Sequence, residues 1–341
     1  MNLATKAGLQ VLKFCGCFLL AILFFSGAAF SETCFTSDDM DSATRSAIQA
    51  AATKYFDMAA RGDSASLKQH SIPAVANDFG WIAGTIKDNQ PNLAGAHATP
   101  RPPFELKAEG AAPIAKAEFL CGVFGANGLT PNSTEFIIPN LPPGTYAVIT
   151  LDVAGQKTPV TLSFVLQQQG TDWKLGGFFL RDTQVAGHDS NWFVDRARTF
   201  KSKGQTRNAW LYFLEGRELA MPVPFLYTQT SDKLFDESQS VKPTDFPIDG
   251  STADLTSADG KTYKLMALFS TTVDQQLHLV VRFQTASVAD SGQAFQECIA
   301  VMKALLLKFP ELRDAFDGIV ARAVDPSGKD YGALMKMKDI K

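Results

Sequence analysis

The sequence predicts an α+β fold: helices followed by a run of antiparallel strands, then a helical hairpin, then a second small α+β domain. Three observations predict it. Apolar residues recur at helical spacing from residue 38 to about residue 93, and short alternating segments follow from Phe104 to Leu180. Helical spacing then returns at Asp189, before a second run of alternation beyond Tyr263. Helices followed by consecutive strands belong to α+β rather than α/β architecture. A length of 341 residues allows two domains of ordinary size, and 45% hydrophobic with 20% charged residues is ordinary for a folded chain.

The chain opens with Lys6 and Lys13, an uncharged apolar run from Phe14 to Phe25, and the small-residue exit Ser26-Gly27-Ala28-Ala29 before Phe30 and Ser31. These are the parts of a secretory signal peptide, with cleavage near Ala29 or Ser31. A membrane anchor would need about 20 apolar residues. A lipid-attachment cysteine would come at the end of the run, whereas Cys15 and Cys17 sit at its start. The expected protein is exported, periplasmic or secreted, with no membrane span after cleavage. The formal charge of −3 becomes −5 once Lys6 and Lys13 are removed. That balance, without a Lys/Arg block, excludes a nucleic-acid footprint.

Cys34, Cys121 and Cys298 remain, an odd number for an oxidising compartment. Cys298 falls on the helical stripe Phe295, Ile299, Met302, Leu305, Leu306 and Phe309, so it reads as a small buried hydrophobe. A Cys34–Cys121 disulfide is the pairing left. There is no CxxC and no Cys/His set, so nothing supports a zinc site or any other cofactor.

Residues 38 to 61 form the first predicted helix, with Ile48, Ala52, Tyr55, Phe56 and Ala59 on its apolar face. Arg61-Gly62-Asp63 is also the integrin-binding string, but Gly62 suits a left-handed C-cap and Asp63 the cap of the next helix. A short helix holding Leu67 and a helical segment from Ile82 to Leu93, despite Pro91, follow. Strands are predicted at Phe104 to Lys107, Ala115 to Phe124, Glu135 to Ile138, Thr145 to Val153, Val160 to Gln167 and Trp173 to Leu180. Turns fall at Pro142-Pro143-Gly144 and Gly170, and a bulge at Gly176-Gly177. Asn132-Ser133-Thr134 is a glycosylation acceptor string placed in a polar turn.

Ala52, Tyr55, Phe56, Ala59, Gly62-Asp63, Leu67 and Pro73, with the closing Asp172-Trp173-Lys174-Leu175, resemble nuclear-transport-factor-2-like (SnoaL-like) domains over residues 38 to 181. The resemblance implies helices seated in the concave side of a curved sheet, and dimers formed through the convex side. Enzymes of that family place an acid, a Tyr or a His inside the cone, which nominates Tyr55 and Asp78. The family also contains many non-catalytic modules, so the fold alone does not give function.

From Asp189, residues Ala197, Phe200, Gly204, Ala209, Phe213 and Gly216 with Pro222 approach the spacing of one tetratricopeptide repeat, a hairpin turning at Gly204. One such unit makes no solenoid, and a hairpin packed on its neighbours accounts for the same residues. A further helix is expected at Asp232 to Ser238. Lys242 to Asp259 reads as a linker. Beyond it come a hairpin turning near Asp274, the Cys298 helix, a strand at Ile319 to Val324, and Tyr331 to Met337 after Pro326-Ser327-Gly328. The expected units are residues 1–31, 32–187, 188–241 and 242–341.

No Gly-x-Ser-x-Gly elbow, phosphate loop or His-Glu-x-x-His string is present. His70, His97, His188 and His278 are far apart. Asp189, beside His188, suits a helix N-cap, and His278 reads as a surface or interdomain residue. Two readings of function remain. One is an exported, non-catalytic binding or scaffold protein for an unknown partner. The other is an exported small-molecule carrier or enzyme using the cone's cavity through Tyr55 and Asp78.

Overall fold

A computed structural model describes residues 32–123, 129–248 and 250–341. The predicted signal segment lies outside the described residues.

Strand β1 (Glu32–Phe35) leads to helix α1 (Ser42–Ala60). The Asp41 side chain accepts from the amides of Ala43 and Thr44, which satisfies two of the free N–H groups at the start of α1. Gly62, at φ 73°, turns the chain out of α1, and Asp63 caps α2 (Ser64–Gln69) through the Ser66 amide. Arg61-Gly62-Asp63 is therefore a corner between helices. Helices α3 (Pro73–Asn77) and α4 (Gly80–Leu93) follow, α4 continuing through Pro91.

The strands are β2 (His97–Pro100), β3 (Phe104–Ala108), β4 (Ile114–Val123), β5 (Leu129–Leu141), β6 (Gly144–Ala154), β7 (Val160–Gln169) and β8 (Asp172–Asp182). One antiparallel sheet runs β1-β3-β6-β7-β8, with β2 also paired to β6. The register shifts opposite Val165 and Leu166, where Gly176 is the extra residue, so the glycine pair does make a bulge. Side chains alternate across this sheet. Ala147, Ile149, Leu151, Leu162, Phe164 and Leu166 face α1 and α4, while Tyr146, Val148 and Leu106 face the other way.

The second face is covered. Strands β4, β5 and β9 (Leu226–Thr228) form a separate sheet that seats Phe119, Cys121 and Phe136 against Leu106, Tyr146 and Val148. The first half is thus helix, sheet, sheet. The face of the first sheet turned away from the helices is covered at these residues. The Cys34–Cys121 disulfide ties β1 to β4, with Cα atoms 5.2 Å apart. Asn132-Ser133-Thr134 is in β5 and not in a turn, because Thr134 pairs with Cys121 on one side and Thr228 on the other. Ser133 and Thr134 are buried.

Helices α5 (Ser190–Ser202) and α6 (Thr206–Ala220) form the expected hairpin, turning at Gly204 with φ 75°. Asp189 caps α5 through the Trp192 amide. After β9 comes α7 (Gln229–Gln239), then β10 (Ala253–Thr256), β11 (Thr262–Val273), β12 (Gln276–Gln284), α8 (Ser291–Lys308), β13 (Gly318–Val324) and β14 (Asp330–Lys336). The sheet order is β10-β11-β12-β13-β14, antiparallel except for β12–β13, which α8 connects as a parallel crossover.

Phe193, Phe200, Tyr212 and Phe213 of the hairpin share one core with Leu279, Phe283, Cys298, Leu305 and Ile319. The hairpin and the C-terminal sheet are therefore packed as one layered unit. Residues 242–259 are not a free linker: Phe246 is buried between Trp210 and Phe309, and Leu255 is buried in β10. Since β9, lying between α6 and α7, completes the sheet over the first half, the two halves are joined by strand pairing as well as by sequence.

Candidate functional site

Tyr55 lies on the inward face of α1, and its hydroxyl donates to the Trp173 carbonyl oxygen at 2.5 Å. The ring meets Phe164 edge-on at 6.1 Å and His70 at 6.2 Å. Burial, reinforced by Asp172, pushes its phenol up to about 12. That hydroxyl stays protonated at neutral pH and is committed to joining α1 to β8. It is positioned as a structural donor.

The space inside the helix–sheet layer is filled. Ile48, Ala52, Phe56 and Ile86 from the helices meet Leu151, Leu162, Phe164 and Phe178 from the sheet, all buried. Tyr55 instead borders a cleft of about 250 Å³ at the rim, with Lys54, His70, Asp172 and Lys174 around it. The His70 Nδ1 is 2.8 Å from the Ser66 carbonyl oxygen, to which it donates. Asp78 does not join this group. It is exposed at the end of α3 and is absent from the cleft's lining. The structure therefore brings Tyr55 together with His70 and Asp172, which the sequence reading did not pair with it. The folding of α2 back toward β8 does this: the Ser71–Leu175 bridge, with Ile72 N bonded to Leu175 O, carries His70 to the strand.

His278 corrects a second expectation. It is 2% exposed, not a surface residue. Gly318 opposite it has no side chain, and a Cβ there would stand 2.6 Å from the His278 Nδ1, so the imidazole occupies the vacated space. Its Nδ1 is buried without a hydrogen-bond partner. Cys298 is buried and unpaired with its thiol pushed up to about 11 by burial, which makes it unreactive.

Glu215 was not singled out from sequence. It sits on α6 beside β11, and burial pushes its carboxyl up to about 7; nearby Ser270 favours the charged form and Glu218 opposes it. The Ser270 hydroxyl still falls outside hydrogen-bond geometry. A signal was present: Ala209 to Leu214 is apolar nearly all round, the mark of a helix covered on several sides. Among the described residues no group of three or more His, Cys, Asp or Glu side chains could hold a metal ion, and no helix is long and apolar enough to cross a membrane. In comparisons with protein-family models, curated proteins and solved structures, nothing matches this chain.

Proposed function

We propose that the protein is an exported, non-catalytic binding or scaffold module that engages its partner at its surface. The filled helix–sheet interior carries this reading: Phe164, Phe178 and Leu162 occupy the volume that a ligand in a cone would need. The committed Tyr55 hydroxyl supports it. Large apolar side chains stand exposed around the molecule, with Leu307 at 73%, Leu120 at 58% and Trp81 at 49%.

Export is supported by the basic, apolar and small-residue order of residues 1–31 and by the Cys34–Cys121 disulfide. Membership of the nuclear-transport-factor-2-like group is likewise a proposal. Helices on an antiparallel sheet support it, while the division of the strands into two packed sheets departs from it.

A small-ligand reading at Tyr55 retains one specific observation, the rim cleft of about 250 Å³ that Tyr55 and His70 border. The two readings separate in one experiment. Photo-crosslinking groups placed at Trp81 and Leu307 in expressing cells should trap the same partner in wild type and in Tyr55→Phe/Asp78→Asn protein. Loss of the adduct in that double variant and equally in Tyr55→Phe alone, at unchanged thermal stability, would move the function to the cleft.

A further inference from the structure

Strand β11 spans Thr262–Val273, but β10 pairs only with Thr262 to Leu265. Among the described residues, Ala267 to Val273 has a strand neighbour on one side alone, β12. The register fixes which backbone groups face the empty side. Asp274 and Gln275 form a two-residue turn with both residues left-handed, so Val273–Gln276 is a hydrogen-bonded pair. Alternation makes Thr271–His278 and Phe269–Val280 bonded pairs too. It leaves the N–H and C=O groups of Leu268, Ser270 and Thr272 pointing away from β12. Outside the strand ladders no described backbone group bonds to these N–H and C=O groups, although the Ala186 amide donates to the Thr272 hydroxyl at 2.7 Å and so approaches that end of the edge.

Natural sheets shield such edges with lysine, proline or a covering element. Ala267-Leu268-Phe269-Ser270-Thr271-Thr272-Val273 contains no charge and no proline. Alongside is a cavity of about 290 Å³, lined by Leu211, Glu215 and Arg217 from α6 and by Leu268, Phe269 and Ser270. Successive strand residues point to opposite faces, so a cavity touching all three runs along the strand's edge. The polar groups there are unsatisfied: Ser270 Oγ and Arg217 Nε are buried without partners. Glu218 is taken by Arg181, whereas no described cation pairs with Glu215.

We propose that the open edge of β11 accepts an extended segment of a partner protein as an added strand, with a lysine or arginine side chain of that segment set against Glu215. This rests on the surface-binding reading above and names the partner's chemistry. The N–H and C=O groups turned away from β12 supply the ladder, and the cavity beside it supplies side-chain selectivity. The apolar wall from Leu211 suits the aliphatic stem of a basic side chain, and Arg217 Nε is free for a carbonyl. A second copy of the protein is the poorer occupant. Its own β11 edge could extend the ladder, but Ala267 to Val273 offers no cation for Glu215.

The test is a phage library of random linear dodecapeptides panned on the oxidised full chain near neutral pH. Enriched peptides are resynthesised, and hydrogen exchange is read across the protein. The expected peptides carry Lys or Arg flanked by β-branched residues, and they slow exchange at Leu268, Ser270 and Thr272. Glu215→Gln should weaken them about tenfold at unchanged fold, and Ser270→Pro should abolish binding. Should Ser270→Pro fail to fold, Glu215→Gln alone carries the test. No enrichment, protection elsewhere, or edge protection that grows with protein concentration without peptide would overturn the proposal. Crosslinked partner retained at Trp81 or Leu307 with an unprotected β11 edge would sink this assignment while leaving the surface-binding reading intact.

Discussion

Replacing Cys34 and Cys121 together by alanine should cost about 3–5 kcal/mol of stability. The bridge closes a loop with a sequence separation of 87, and the chain-entropy relation gives about 4–5 kcal/mol for a loop of that length. The structure adds a local consequence. β1 is four residues long, lies at the edge of its sheet and, among the described residues, pairs with β3 alone, and the bridge ties it covalently to β4. Cys121 itself is fully buried among Phe119, Phe136 and Leu106, so alanine there adds a small packing loss. Urea unfolding of wild type, of wild type with reductant, and of the double variant measures the effect. Wild type with reductant should fall to near the double variant, and reductant should leave the double variant unchanged. Amide exchange at Thr33 and Phe35 should quicken before the rest of the sheet. A loss below about 1 kcal/mol, or reductant acting equally on the double variant, would refute the reasoning.

Four further outcomes follow from the same structure. Burial raises Glu215 from 4.5 to about 7, so the folded state disfavours its charge. Its contribution is fully favourable below about 4.5, is lost as pH rises, and is gone above about 7. Glu215→Gln should therefore flatten the pH dependence of the urea midpoint across that window and stabilise the protein at pH 8. Gly318→Ala puts a Cβ 2.5 Å from the Met335 carbonyl oxygen; it should destabilise by about 2–4 kcal/mol, read as a fall in thermal midpoint. Asn92→Ala removes the side chain that accepts from the Lys157 and Thr158 amides and donates to the Thr158 carbonyl. It should cost about 2–3 kcal/mol and expose those two amides to rapid exchange. Tyr55→Phe should cost only about 1 kcal/mol and leave partner capture unchanged.

Where one physical signal dominated, the sequence was readable. The alternation in Val160 to Gln167 marks β7, and the stripe through Cys298 marks α8 and leaves Cys34 and Cys121 to pair. Asp63 and Asp189 cap the helices that their positions indicated. Where tertiary contacts decide, local signals failed. Lys242 to Asp259 is polar and proline-bearing, so the burial of Phe246 and Leu255 cannot be seen in its composition. Asn132 to Thr134 has turn chemistry, but β4 and β9 on either side hold it extended. His278 is buried because a residue forty positions later is glycine. At the candidate site, Tyr55 was legible as an inward residue of α1. Its neighbours were not, because His70 and Asp172 reach it only through the bridge from Ser71 to Leu175. The open edge of β11 depends on how far β10 extends, which no pattern within β11 records.

The surface-binding claim is tested most directly by native mass spectrometry of protein recovered from an oxidising compartment. The account predicts a chain lacking about the first 29–31 residues, two hydrogens lighter for the Cys34–Cys121 bridge, and free of any retained small molecule. An intact N-terminus would contradict export. A small molecule carried with the protein and lost in Tyr55→Phe would contradict surface binding and place the function in the cleft beside His70.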